Sequence, residues 1–150
     1  MPKPPALDFD AFLPYRLSVL ANTVSQDISS EYEERFGLSV TQWRVMAILG
    51  RHPDLTARDV ARRTAMDKVA VSRAVAGLEQ RELLARTISR HDRREAHLRL
   101  TRSGRSIHDQ IVPLALKHER RLLERLTAEE QRWLAQVLDR LQPSPSLSEA

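Results

Sequence analysis

Hydrophobic positions recur at helical spacing along most of the chain, and the interruptions mark its joints. Leu13, Leu17, Leu20, Val24 and Ile28 share one helical face and predict a first helix from about Pro14 to Arg35. Pro14 suits a first turn, where no backbone donor is needed. Phe9 and Phe12 predict a short helical turn before it, and Gly37 is expected to end the helix in a left-handed conformation. Ser39 with Gln42 reads as a capping box opening a second helix. The stretch "VTQWRVMAILG" is apolar nearly all round, with Trp43, Met46 and Ala47 on one side and Val45, Ile48 and Leu49 on the other. A helix of that kind is covered on both flanks, which places it centrally between two layers. Pro53 breaks the chain. Thr56 with Asp59 opens a short third helix to Thr64, and Asp67 caps a fourth within "DKVAVSRAVAGLEQRELL".

After Glu82 the period changes from helical to alternating. "LLARTIS" and "EAHLRLT" are two short runs separated by "RHDRR", and Leu98 and Leu100 alternate with His97 and Arg99. A strand hairpin with a basic tip follows. Thr101 and "RSG" start a long helix to about Arg125, with a kink expected at Pro113. Thr127 with Glu130 caps a last helix, whose expected buried face is Leu134, Val137, Leu138 and Leu141. The fold class is therefore mainly α with a small β-hairpin. Residues 1–7 and 143–150 are rich in proline, serine and small side chains and are expected to be disordered. Residues 8–37 and 102–142 form outer helices around a lobe at 38–101.

Composition narrows the chemistry. The chain has 150 residues, enough for one domain with a real core, and 41% of them are hydrophobic, so aliphatic packing must dominate over seven aromatics. The absence of cysteine removes disulfides, thiolate catalysis and thiol redox sensing. No run approaches the ~18 apolar residues of a membrane span. The N-terminus "MPKPPAL" lacks the apolar core of a signal peptide, so a cytoplasmic location and no membrane partner are expected. The net charge is +4, but Thr56–Arg105 holds 13 lysines and arginines against six acidic residues, a net of +7, which leaves about −3 for the rest. A basic segment in an otherwise mildly acidic chain suggests a polyanionic partner.

The fourth helix sorts cleanly by angle. At ~100° per residue, Val71, Val75 and Leu78 fall on one side with Ala74 flanking, while Val69, Arg73, Ala76 and Gln80 fall opposite, flanked by Ser72 and Gly77. A merely solvated face would carry several Lys and Glu residues. Here Val69, Ala70, Ala76 and Gly77 keep the surface low, and one long cationic donor stands up from it. Such a face suits insertion into a major groove: Arg73 bidentate to guanine, Ser72 to a base or phosphate, Val69 against a thymine methyl, Lys68 to phosphate. The bland reading is a helix packed on both sides with Arg73 at its edge. The order short helix, brief turn, exposed helix, basic hairpin argues instead for a winged helix-turn-helix. Arg90, Arg93 and Arg94 at the hairpin tip suit a narrow minor groove, and Asp92 is expected to pair with a neighbouring arginine or cap the turn.

Two other classes fit less well. An enzyme finds no site: His52, His91, His97, His108 and His118 form no tight metal-ligand spacing, and G-x-S-x-G, P-loop and Rossmann patterns are missing. His91 and His97 could touch across the hairpin, but an exposed wing is a poor place for chemistry. No cofactor is expected. A winged-helix module that binds protein without sequence-specific DNA binding would show an apolar or acidic fourth-helix face, contrary to Arg73 and the basic wing.

The segments "LSVTQWRVMAILG", "LTARDVARRTAMDKVAVSRAVAGLEQRELL" and "DRREAHLRLTRSG" resemble the MarR family of bacterial transcriptional regulators, over about Asp8 to Leu141. The last resembles the family's wing signature, Asp-x-Arg followed by a strand and Leu-Thr-x-x-Gly. The resemblance implies that the fourth helix is the recognition helix, that Asp92 braces the wing arginine and that Arg94 probes the minor groove. It also implies a homodimer on a palindromic DNA operator, with 8–37 and 102–142 as dimerisation helices. A dimer makes physical sense, since two such helices read half-sites about 34 Å apart. Phe9, Phe12, Leu13, Leu17, Leu20, Ile107, Ile111, Leu114 and Leu134 then find their partners in a second copy. A small-molecule effector is implied too, an aromatic or phenolic acid or its thioester, with Tyr15, Arg16, Trp43 and Arg44 as candidate contacts; repression is the family's more frequent outcome. One departure stands out: the family usually has glycine where this chain has Glu82. Glutamate must either take the left-handed conformation at a cost or let the helix end differently.

Overall fold

The computed structural model describes residues 1–88 and 95–142. In chain order it forms α1 (Leu13–Phe36), α2 (Val40–Arg51), α3 (Ala57–Thr64), α4 (Lys68–Gln80), β1 (Leu84–Ile88), β2 (Ala96–Leu100), α5 (Arg102–Leu123) and α6 (Ala128–Leu141). The local signals act where expected. Proline occupies the first turn of α1, and Gly37 ends that helix at φ 64, its N–H donating to the Glu33 carbonyl. Reciprocal capping boxes open α2, α3 and α6 through Ser39/Gln42, Thr56/Asp59 and Thr127/Glu130. Asp67 accepts the Ala70 N–H at 3.2 Å to open α4. Before α1, the Phe12 N–H donates to the Phe9 carbonyl at 3.2 Å, closing the expected turn.

The chain divides into two compact units, Met1–Leu114 and Ala115–Ala150. In the first, α2 is central and packs against α3, α4 and β2. Its core combines Val45, Met46 and Leu49 with Val60, Ala61, Val71, Ala74, Val75, Leu78, Leu84, Leu98 and Ile111. Burial of each large aliphatic side chain contributes about 1.5–3 kcal/mol. The C-terminal half of α1 joins this core through Ile28, Tyr32 and Phe36. Its N-terminal half does not: Leu13, Leu17, Val19 and Leu20 are exposed. Ile111 departs from expectation, because it is fully buried within the chain and needs no second copy, whereas Ile107 is half-buried against the same core.

β1 and β2 pair antiparallel, Leu84 opposite Leu100 and Ile88 opposite Ala96. The "LTRSG" stretch ties this hairpin to its neighbours. Thr101 Oγ1 donates to the Glu82 carbonyl at 2.7 Å and accepts the Gly104 N–H at 3.0 Å, so one hydroxyl holds the end of α4 and the start of α5. Gly104 is required for contact, since a Cβ there would run into the Leu83 carbonyl. Glu82 itself takes φ 58, the left-handed region that glycine would occupy freely.

Pro113 lies inside α5, and the boundary between the units falls just beyond it. In the second unit, the Gln131 side-chain amide donates to the Leu123 and Leu126 carbonyls and closes the turn into α6. The face expected to be buried is not. Leu134, Val137, Leu138 and Leu141 are 40–55% exposed, and Trp133 is 59% exposed, because no described residue of this unit covers that side of α6.

Candidate nucleic-acid interface

The turn from α3 to α4 is built by a left-handed residue. Ala65 takes φ 51, its N–H returns to the Ala61 and Arg62 carbonyls, and Met66 packs against the core. Asp67 then starts α4 at once, with no room for a longer loop. The buried side of α4 is Val71, Ala74, Val75 and Leu78, set against α2 and α3. The opposite side is open: Lys68, Ser72, Arg73, Ala76 and Gln80 are exposed, and Val69 is 55% exposed. Arg73 therefore stands outward from small neighbours, as its sequence position predicts. Ala70 is half-buried at the edge of this face. Gly77 belongs less to the face than expected, because the Gln42 amide of α2 lies over it.

Charge extends the face. Arg58, Arg62 and Arg63 on α3 are exposed, and with Lys68 and Arg73 they form no ion pair among the described residues. The three α3 arginines were missed by sequence reasoning. Their signal was available, since Arg58 and Arg62 are four apart and lie away from buried Val60 and Ala61. Five unpaired cations beside a low, open helix face make a surface suited to a phosphate backbone with bases between.

Arg90, Asp92, Arg93 and Arg94 lie outside the described residues, as does His91. The root of the hairpin is well defined. Leu55 bridges to Leu98, with the Leu98 N–H donating to the Leu55 carbonyl at 2.8 Å and the Asp54 N–H to the Leu98 carbonyl at 3.1 Å. The Arg99 guanidinium grips both Asp54 carboxylate oxygens at 2.9 and 2.7 Å, and His97 Nδ1 meets the Asp54 carbonyl at 2.6 Å. The Arg99 hydrogen bond holds the Asp54 carboxyl below its usual range. The wing is thus pinned to the loop before α3. A second pair, Arg86 Nε to Glu79 Oε1 at 2.7 Å, joins β1 to α4.

The four candidate effector contacts are not brought together. Tyr15 packs its ring on Phe9 with centroids 4.4 Å apart, and Arg16 beside it is exposed. Arg44 instead donates to Ser25 Oγ at 3.0 Å, about 15 Å further along α1 at 1.5 Å per residue. Trp43 is half-buried between Tyr32 and His108, at 6.1 and 5.8 Å. Burial, with Glu33 nearby, pushes the Tyr32 hydroxyl up to about 12, so it stays neutral and serves packing. Among the described residues no group of three His, Asp or Glu side chains is placed to hold a metal. No helix among them is long and apolar enough to cross a membrane.

Known proteins share the fold. A family model described as "MarR family" matches residues 36–95, which span α2 to β1 and stop just before β2. The HTH-type transcriptional repressor MdtR of Bacillus subtilis (strain 168) is 32% identical over 111 residues, 74% of this chain and 72% of its own length. The crystal structure of a MarR/EmrR family transcriptional regulator from Acinetobacter sp. ADP1 aligns with a TM-score of 0.82 at 27% identity, covering 90% of this chain and 95% of that one. The Mycobacterium tuberculosis MarR family protein Rv2887, solved in complex with salicylic acid, aligns with a TM-score of 0.70 at 26% identity, covering 91% and 100%.

Proposed function

The chain belongs to the MarR family, and from that premise we propose that it is a dimeric repressor that binds a palindromic DNA operator and is released by a small aromatic acid. The family consists of transcriptional regulators, not enzymes. The observation that carries the reading is the outer face of α4, where Lys68, Val69, Ser72 and Arg73 are exposed at the N-terminal end of the helix. That end is the part of a recognition helix that meets base edges. Arg73 contributes a bidentate contact to guanine, Val69 an apolar contact to a thymine methyl, and Ser72 and Lys68 contacts to base or phosphate. Arg58, Arg62 and Arg63 contact the flanking backbone, and Arg90, Arg93 and Arg94 carry the wing into the minor groove with Asp92 as brace.

The dimer is supported by apolar surface that the chain leaves open: Phe9, Phe12, Leu13, Leu17 and Leu20 in one unit, Trp133, Leu134, Val137, Leu138 and Leu141 in the other. A second copy covers both sets. The effector reading is supported by the salicylic acid bound to Rv2887. Of the candidate contacts, Tyr15 and Arg16 pair an aromatic ring with an exposed guanidinium, as an aromatic carboxylate requires, while Trp43 and Arg44 border the same helix further along. Effector binding shifts the population away from the DNA-competent spacing. A cytoplasmic location follows from this role.

The experiment is selection of bound sequences from random duplex DNA, repeated with salicylate and related aromatic acids and thioesters. The expected result is a palindrome whose affinity falls steeply with salt and falls again with one of the acids. Recovery of no sequence preference would leave a protein-binding winged helix as the better reading.

A further inference from the structure

Arg81 follows α4 directly and belongs neither to its groove face nor to its core. Its backbone N–H turns back to the Gly77 and Glu79 carbonyls. Its guanidinium reaches the C-terminal end of α1, where Nη2 donates to the Phe36 carbonyl at 2.6 Å and Nη1 to the Gly37 carbonyl at 3.2 Å. These are terminal carbonyls of α1, which lack partners along their own helix and carry its partial negative charge. A planar fork with two donors suits two adjacent carbonyls better than a single ammonium does.

The rest of α4 is held by Val71, Ala74, Val75 and Leu78 against α2 and α3, and by the Glu79–Arg86 pair to β1. Apolar packing of this kind fixes the distance between helices and still permits small sliding along their axes. A charge-assisted pair at one end removes that freedom. The helix it is tied to is the one whose N-terminal half leaves Leu13, Leu17 and Leu20 uncovered.

We infer that Arg81 is a positioning residue that locks the recognition helix to the dimerisation helix and thereby sets the separation of the two recognition helices across the dimer. The inference rests on the dimeric DNA reading above and adds a residue that touches no base. Its consequence is specific: Arg81 governs how strictly the protein measures the distance between half-sites.

The test uses the full chain and the selected operator, with derivatives carrying one base pair more or fewer between half-sites. Affinity, its salt slope and thermal stability are measured for the wild type, Arg81→Ala and Arg81→Lys. The wild type is expected to prefer the native spacing. Arg81→Ala should bind that spacing about tenfold more weakly, lose most of its preference among spacings and keep the wild-type salt slope. Arg81→Lys should fall between. If Arg81→Ala lowers stability but discriminates spacings as the wild type does, Arg81 is only a helix cap and the inference is wrong. A salt slope reduced by about one, with spacing preference intact, would make it a phosphate contact instead. Should Arg81→Ala not fold, Arg81→Lys carries the test, and wild-type discrimination by that variant overturns the inference. A wild type with no preferred operator removes the DNA reading and this inference together, which separates that failure from a failure of Arg81 alone.

Discussion

A glutamate held at φ 58 carries a backbone penalty of about 1 kcal/mol relative to glycine. At Glu82 that penalty is absorbed by neighbours: its N–H donates to the Glu79 carbonyl, its carbonyl accepts from Thr101, and Leu83 returns to Leu78. The chain therefore keeps the turn that a glycine would make and does not end α4 differently. Glu82→Gly should raise stability by about 1 kcal/mol, read from the denaturant midpoint at unchanged slope, with operator affinity unchanged. A loss of stability would mean that the glutamate side chain contributes a contact outweighing its backbone strain. Some residue roles were legible because they are local, as with Asp67 and the three capping boxes. Arg81 and the Asp54–Arg99 pair were not legible, since their partners lie 44 or 45 positions away in sequence.

Among the elements, α4 was the most legible, because a 13-residue amphipathic helix fixes its inward side by angle alone. The hairpin strands were visible from their period of two. Their anchorage was hidden, since the Leu55–Leu98 bridge recruits a residue from a loop without strand character. That anchorage should respond to acid. The depressed Asp54 carboxyl means that the Arg99 interaction is fully present above the usual carboxylate range and is lost as pH falls through the depressed value. At neutral pH the wing root is intact. Titration of the Asp54 carboxyl carbon by NMR should give a midpoint below the usual range in the wild type, returning towards it in Arg99→Gln. A wild-type midpoint at the ordinary value would show that the pair does not persist in solution.

At the scale of the molecule, the split between a basic middle and mildly acidic flanks was readable from composition, and it falls on the lobe that carries α3, α4 and the hairpin. What periodicity could not reveal was who covers an apolar stripe. Ile111 is buried by its own chain, whereas among the described residues of its unit nothing covers Leu134, Val137, Leu138 and Leu141; the same helical spacing describes both cases. The uncovered stripes predict that the protein sediments as a dimer at micromolar concentration. The double substitution Leu17→Glu with Leu138→Glu should yield a monomer that keeps its helical circular dichroism. A wild-type monomer, or a doubly substituted dimer, would place the protein's self-association elsewhere or nowhere.

The most direct measurement concerns Arg73. Affinities of the wild type and Arg73→Ala are compared on the selected operator and on its single-base variants, at several salt concentrations. The substitution should cost about 1–3 kcal/mol, abolish the preference at one symmetry-related pair of base positions and leave the salt slope nearly unchanged. Unaltered base preference at every position would contradict the assignment of the outer face of α4 as the surface that reads DNA.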